Sequence, residues 1–427
     1  MLKLKTRMTL PAVGLTGFEA PLGEEEAAIQ GVVHQFAKNV LRPIGQELDR
    51  MSAEEVCAPG SPYWSVFEEF AKLGLDPTLI AQFEPDVAIR LESLIGEEMG
   101  WGDVGLGLSL TVASFPLMMS IAAGNQELVE LCTDKIGCWM ITHPDKGSDT
   151  QLFDMKREWP QGKPGNKGNM TAKVTRDEII VNGQCSAWVS NGAVAQVALG
   201  YLTADYGDGF FDADGLSHGV AVIIPLDLPG ITRGKPLDKI GQRSLPQGEI
   251  YFDNVKLPIR FAVGLGDEYY GNLGSAWSYA GTHMGQSMTG LARSAFDMAL
   301  HYCHERKQGG QALIDHQLTR YRLGDMFRRV ELCRSVARRS LTYARLTPSG
   351  HPYATASGKV TVTEEAMKVA TEALQLFGGA GTSREYPIEK LLRDARSAQI
   401  EDGENYMLTM RLGLLAQHLY AEGWTQD

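Results

Sequence analysis

The hydrophobic period of this chain changes twice along its length, and that ordering limits the fold more than any single residue does. From about Gly23 to Thr133, apolar residues recur three and four apart. Ala27, Ile29, Val32, Val33, Phe36, Ala37 and Val40 form one face of a helix, and Val66, Phe67, Phe70, Ala71 and Leu73 suggest a second, shorter one. Residues 92–99 and 106–123 read as further helices, the latter largely buried. Near Cys138 the pattern becomes that of strands. Residues 178–184 read as a strand, an Asn-Gly turn and the start of another strand. Residues 220–224, before Pro225, read as a short buried strand, and residues 249–255 alternate before a turn at Pro258. Segments 150–171 and 204–218, rich in Gly, Asp and Pro, read as surface loops. After about Asn272 the helical period returns and holds nearly to the end. Ala366, Val369, Ala370, Ala373, Leu374 and Phe377 mark one helix, closed by Gly378-Gly379. The order is helices, a compact β domain, then a long helical bundle.

Composition excludes several function classes. With 427 residues the chain can bury a large core and exceeds one simple domain. Hydrophobic residues at 44% and charged residues at 22% are those of an ordinary soluble globular protein. A net charge of −12 argues against a nucleic-acid partner, which needs clustered basic surface. The six cysteines are dispersed, with no CxxC and no metal-like Cys/His spacing, so reduced thiols and no metal are expected. No apolar run reads as approaching the ~20 residues of a membrane span. The basic residues 1–7 are not followed by an apolar signal-peptide core. The expectation is a cytoplasmic protein without a membrane partner.

Several short runs carry chemistry. Met140-Ile-Thr-His-Pro-Asp-Lys-Gly-Ser-Asp149 offers hydroxyls and glycine-exposed N–H donors, which a pyrophosphate needs. Ala187-Trp-Val-Ser-Asn-Gly192 sets an indole beside a hydroxyl. Ile240-Gly-Gln-Arg243 precedes Glu249-Ile-Tyr-Phe-Asp-Asn-Val-Lys-Leu-Pro258. Gly290-Leu-Ala-Arg293, Glu305-Arg-Lys307 and His316-Gln317 follow on the first long helices of the last third. Then come Gln375-Leu-Phe-Gly-Gly-Ala-Gly381, Arg384-Glu-Tyr-Pro387, Arg393-Asp-Ala395 and Ile400-Glu-Asp-Gly-Glu404.

In this order the runs resemble the acyl-CoA dehydrogenase family over about residues 20 to 415. The resemblance implies an α+β, mostly α fold: an N-terminal α-helical domain (20–137), a middle β-barrel-like domain (138–262) and a C-terminal four-helix bundle (272–420). It implies FAD, held at its ring edge and pyrophosphate by Thr142, Gly147 and Ser148, with Ser148 also facing the acyl ligand. Trp188 would pack on the flavin, and Ser190 would hydrogen-bond near its hydride-accepting N5. Arg306, whose planar fork suits a pyrophosphate, would reach the FAD of a neighbouring subunit, as would Gln375 and Gly378. His316 and Gln317 complete the implied cofactor set. A homodimer or homotetramer follows. Ile240-Gly-Gln-Arg243 identifies the fold and is assigned no chemistry.

Register chooses among the three carboxylates at 401–404. The spacing from Gln375 makes Asp402 the base of the resembled family, where Glu is usual; Glu401 falls where Tyr is frequent and Glu404 where Thr is usual. The implied reaction is α,β-desaturation of an acyl-CoA. Asp402 would take the α-proton while hydride passes to flavin N5, and the Asp402 N–H with a flavin ribityl hydroxyl would polarise the carbonyl. Electron-transfer flavoprotein would be the acceptor. Losing one methylene retracts the carboxylate by about one bond, and a misplacement near 1 Å costs on the order of 100-fold unless compensated. Other departures are His143 for Glu, Lys146 for a small residue, and Gln308-Gly309-Gly310 for Thr-Phe-Gly. His143 reads as a satisfied supporting side chain. The stretch 276–282 lacks any charge, and its Trp277 and Tyr279 read equally as lining for a bulky apolar substrate or as core. Two alternatives stand beside desaturation: a nitroalkane oxidase-like enzyme using Asp and O₂, and a partner subunit with a decayed flavin site.

Overall fold

The computed structural model describes residues 17–18, 21–75, 80, 82–149, 167–347 and 352–423; the basic stretch 1–7 and most of the loop expected at 150–171 lie outside them. Helix α1 (Glu24–Phe36) starts with three glutamates where the helix N-terminus favours negative charge, and Glu26 Oε2 accepts from Gly23 N at 2.7 Å. It runs through a π-helical turn (Ala37–Leu41) into α2 (Arg42–Leu48). Its buried face is Glu26, Gln30, Val33 and Phe36, and Val32 is exposed, which corrects the apolar stripe expected from the sequence. The reason is polar pairing. Glu26 meets Arg90 and Gln30 donates to Glu98 at 3.0 Å, so the helix is rotated toward ionic partners on its neighbour.

That neighbour is α5 (Pro85–Gly102), reached through α3 (Ala53–Cys57) and α4 (Pro62–Ala71). Helices α6 (Val104–Ala113), α7 (Phe115–Ala122) and α8 (Gln126–Cys132) complete the N-terminal set. The stretch Val104–Ala122 is in fact long and apolar enough to cross a membrane, contrary to the expectation above. Here it is divided at Ser114, with Pro116 opening α7, and 56% of its most apolar 18-residue window is buried within the molecule. Such a run serves as protein core.

The β layer is one sheet of β1 (Gly137–Met140), β2 (Thr171–Val174), β3 (Glu178–Gln184), β4 (Val197–Asp205), β5 (Gly219–Pro225), β6 (Ile231–Arg233), β7 (Ile250–Pro258) and β8 (Ala262–Leu265). The order is β6-β7-β3-β2-β4-β5-β8, with β1 parallel to β4. The expected Asn-Gly turn is absent: β3 continues through Asn182-Gly183 with a bulge between Val181 and Gly183. Gly183 has φ 106°, and a β-carbon there would lie 1.7 Å from Asn169 O, so glycine permits the bulge. Strands β4 and β5 are buried on both faces. Ala198, Leu202, Val220, Val222 and Ile224 enter one core, while Val197, Leu199, Tyr201, Ala221 and Ile223 enter another. The second core also takes Trp139 and Trp277, whose ring centroids are 4.9 Å apart, and Tyr279 packs edge-on to Phe115 at 5.0 Å. Both aromatics of the uncharged stretch are therefore packed where helices meet sheet.

The last third is helical: α9 (Glu268–Glu305), α10 (Gln317–Leu346), α11 (Pro352–Phe377), α12 (Ile388–Ala398) and α13 (Asn405–Ala421). A hairpin of β9 (Lys307–Gln308) and β10 (Gln311–Ala312) joins α9 to α10. Helices α5 and α9 cross almost backbone to backbone: a β-carbon on Gly290 would lie 2.0 Å from Glu97 O, and one on Gly100 would lie 1.9 Å from Ser287 O. Beside the crossing, Arg293 is buried between Glu97 (2.9 Å) and Glu98 (2.5 Å), and Arg334 meets Glu97 at 2.7 Å. Gly-Leu-Ala-Arg thus locks the first helical set to the last. Gly290→Ala is expected to cost roughly 1–3 kcal/mol, because neither backbone can yield; urea unfolding would measure it. All six cysteines are free thiols.

Candidate active site

Asp402 lies in the loop between α12 and α13. It has φ 51°, followed by Gly403 at φ 91°, a left-handed reversal that Asp tolerates through its short polar side chain. Three elements fix the loop. From α11, the fully buried Lys359 donates to Gly403 O at 2.7 Å and to Asn405 Oδ1 at 2.9 Å. From the β layer, Ser148 Oγ accepts from Glu404 N at 3.0 Å. Glu404 itself caps α13 by accepting from Met407 N at 3.1 Å. Among the described residues, Asp402 has no hydrogen bond on its carboxylate or its N–H. Burial raises its proton affinity above the usual carboxylate value, and the Lys359 ammonium partly opposes this. Burial in turn pushes Lys359 down to about 8, against the pull of Asp402, Glu401 and Glu404.

The run that carries Ser148 also carries Thr142, which lies in a patch of hydroxyls around an indole. Thr142 Oγ1 and Ser186 Oγ are 2.5 Å apart, and Ser186 N donates to Thr142 O at 2.8 Å. Trp188 N donates to Ser186 Oγ at 3.3 Å, while Gln247 Nε2 donates to Trp188 O at 2.9 Å and to Ser190 Oγ at 3.2 Å. The Trp188 side chain is left 65% exposed, an unusual cost for an indole unless something planar covers it. Gly147 N donates to Asp149 Oδ1 at 2.7 Å, and open space surrounds the position of a β-carbon there. The neighbouring Asn191, at φ 61° and fully buried, donates to Ser109 O (2.9 Å) and Gly137 O (3.1 Å), pinning the patch to α6 and β1. His143 faces inward: its Nδ1 accepts from Met170 N at 3.3 Å, and burial pushes the ring down to about 4, so it is a neutral structural side chain.

The remaining sequence candidates gather at the far end of the bundle. Arg306 ends α9 and is exposed, with no side-chain partner among the described residues. Its carbonyl accepts from Leu313 N at 2.8 Å, which brings in His316, whose Nε2 lies 2.9 Å from Gln308 O and whose Nδ1 lies 3.2 Å from Gln311 Nε2. Gln317 opens α10 and is exposed. Tyr302 stacks on Phe377 at 4.0 Å, so the ends of α9 and α11 meet and the exposed Gln375 and Gly378 (φ 60°) share this end with Arg306. The candidates thus form two patches, and none of the hydrogen bonds above joins one to the other.

Comparison with known proteins decides the lineage. Residues 138–255 match the model of the acyl-CoA dehydrogenase middle domain, and residues 280–414 match that of the acyl-CoA dehydrogenase C-terminal domain. The chain belongs to the acyl-CoA dehydrogenase family. It is an oxidoreductase of this family, whose cofactor is FAD. A probable acyl-CoA dehydrogenase of Bacillus subtilis is 27% identical over 399 residues, covering 90% of this chain and 95% of the relative. A cyclohex-1-ene-1-carbonyl-CoA dehydrogenase of Geobacter metallireducens is 28% identical over 405 residues, covering 92% and 98%. In fold, the chain matches a glutaryl-CoA dehydrogenase solved with glutaryl-CoA at TM-score 0.79 and 24% identity, covering 94% of this chain and 97% of that one. It matches butyryl-CoA dehydrogenase from Megasphaera elsdenii at TM-score 0.77 and 24% identity, covering 93% and 100%.

The residues of this family member fit FAD in kind: an uncovered indole face, hydroxyls beside it, open space where a side chain at Gly147 would lie, and the exposed Arg306 guanidinium, which has no side-chain partner among the described residues. Sequence reasoning passed over Lys359, Gln247 and Asn191. Lys359 left a signal, since it falls on the apolar stripe Val362, Ala366 and Ala370 as a lone cation. Gln247 left none, because only the fold brings it to Ser190.

Proposed function

We propose that this chain desaturates an acyl-CoA thioester, with Asp402 as the base that takes the α-proton. The observation that carries the reading is a half-buried carboxylate of raised proton affinity, free of hydrogen bonds among the described residues, in a loop that Ser148 holds through Glu404 N. A base must be unencumbered and more basic than an exposed carboxylate to remove a carbon-bound proton. Bound FAD supplies the hydride acceptor. Trp188 would cover the ring, and Thr142, Ser148 and Ser190 would bond its polar edge. The Asp402 N–H, without a partner among the described residues, would donate to the thioester oxygen, a role independent of side-chain length. The acceptor of the electrons would be electron-transfer flavoprotein.

Arg306, Gln375, Gly378, His316 and Gln317 fit the second half of the cofactor only if they serve a neighbouring subunit, so the enzyme would be a homodimer or homotetramer. Arg306→Ala is then expected to weaken FAD retention roughly 10- to 100-fold, the loss of one charge-assisted bond. FAD fluorescence released on dilution would measure it, and no release would contradict the assignment.

Anaerobic bleaching of the flavin by butyryl-CoA, glutaryl-CoA and cyclohex-1-ene-1-carbonyl-CoA tests the reaction itself. The last has no hydrogen on its α-carbon, so bleaching by it alone would move the abstracted proton to a ring carbon. Peroxide release with nitroethane, and no bleaching by any thioester, would replace the reading with a nitroalkane oxidase-like one. Protein purified without yellow colour would instead favour a partner subunit with a decayed site.

A further inference from the structure

The side chain next to Asp402 is not idle. Glu401 points to the β layer, where Gln242 Nε2 donates to its Oε1. Gln242 comes from the Ile240-Gly-Gln-Arg243 turn, which the sequence marked only as a fold signature. The turn is pressed against α12: a β-carbon on Gly241 would lie 2.3 Å from Arg393 O. Gln242 adopts φ 48° and is 1% exposed, and its N–H donates to Asp394 Oδ1 at 2.5 Å. Asp394 is held in turn by Lys390, at 2.6 Å. A strained, buried glutamine bonded to two carboxylates is a costly arrangement, and its far end holds the residue adjoining the base.

We propose that Gln242 and Glu401 are positioning residues that set the aim of Asp402, compensating for its missing methylene. The proposal rests on Asp402 being the base. Fixing the Glu401 side chain from the β layer, while Lys359 holds Gly403 from α11, clamps Asp402 on both chain neighbours. It also stations beside the base a second carboxyl, whose own proton affinity the Asp402 charge helps to raise. The groups facing Glu401 are Asp402 on its own loop, Lys239 and Gln242 on the β-layer turn, and Lys359 on α11. Burial and then the Asp402 charge raise Glu401 to about 7, while Lys239, Gln242 and Lys359 pull the other way. Lys239 is itself lowered to about 8 by burial and donates to Leu245 O at 2.8 Å.

The sign of each effect follows. Glu401→Gln keeps a side-chain oxygen for Gln242 but removes the charge. The aim of Asp402 is then kept, so the plateau of flavin bleaching stays within about twofold of wild type. Gln242→Leu leaves the charge and frees the aim, so the plateau falls about 10- to 100-fold with KM little changed. The test is anaerobic stopped-flow bleaching across pH with the most active thioester among butyryl-, glutaryl- and cyclohex-1-ene-1-carbonyl-CoA, on wild type, Glu401→Gln, Gln242→Leu and Asp402→Asn holoenzymes. Infrared difference titration is run in parallel without substrate, where wild type should show a carboxyl band lost as pH rises through about 7 and Glu401→Gln should lack it. If Gln242→Leu keeps the wild-type rate while Asp402→Asn is inactive, or if Glu401→Gln loses as much rate as Gln242→Leu, the positioning proposal is wrong and the base assignment stands. If Asp402→Asn is fully active, the base assignment itself is wrong, and the positioning roles fall with it.

Discussion

Asp402→Asn is expected to slow anaerobic flavin bleaching by an acyl-CoA roughly 10³-fold while FAD stays bound. The amide preserves size and the left-handed backbone, so Lys359 and Ser148 keep their bonds to Gly403 and Glu404. What disappears is the loop carboxylate that accepts no hydrogen bond among the described residues, whereas Glu401 accepts from Gln242 and Glu404 from Met407; general-base catalysis contributes on the order of 10² to 10⁴. In wild type, the bleaching rate should rise with pH through a midpoint above the ordinary carboxylate range, because burial raises Asp402's proton affinity. The rate is lost as pH falls through that midpoint. Stopped-flow absorbance reads both quantities.

Lys390→Met is expected to be the most damaging single change to stability. Its ammonium lies 2.6 Å from both Asp103 and Asp394 and is almost wholly buried. Burial works against the charge, but the two carboxylates overcome it and leave the lysine's proton affinity raised. Asp103 also accepts from Ser244 Oγ at 2.6 Å and from Leu106 N at 2.9 Å, so it joins α6, the β layer and α12 at one point. Removing the cation strands two carboxylates in the interior, a cost of about 3–5 kcal/mol. Adding Asp103→Asn and Asp394→Asn should recover more than half of it, since the stranded charges rather than lost packing carry the penalty. Urea midpoints of the single and triple variants check this.

The gross architecture was legible because periodicity reports which face of an element is covered. In β4 and β5 the alternating halves feed two different cores, which is why their sequence reads as a continuous apolar run. Legibility failed where polar groups do the covering. Helix α1 buries Glu26 and Gln30 against Arg90 and Glu98, partners about 65 residues away that no local pattern announces. The Asn-Gly pair became a bulge because neighbouring β2 and β7 supply pairing on both sides. At the site, the motif order marked Asp402, Ser148 and Trp188 as candidates. Of the residues that hold them in place, Lys359, Gln242 and Gln247 lie on other elements, and Asn191 lies inside the Trp188 run but bonds Ser109 and Gly137, so their roles exist only after folding. His143 shows the converse: a residue inside a chemical motif that turns away to support the β layer.

The most direct test of the account is the fate of the hydrogen on the thioester's α-carbon. Butyryl-CoA or glutaryl-CoA, whichever bleaches the flavin faster, would be labelled there with deuterium and incubated anaerobically with the enzyme. Wild type should release the label to water, and Asp402→Asn, with FAD and thioester still bound, should retain it. Equal label loss from the two proteins would contradict the assignment of the base.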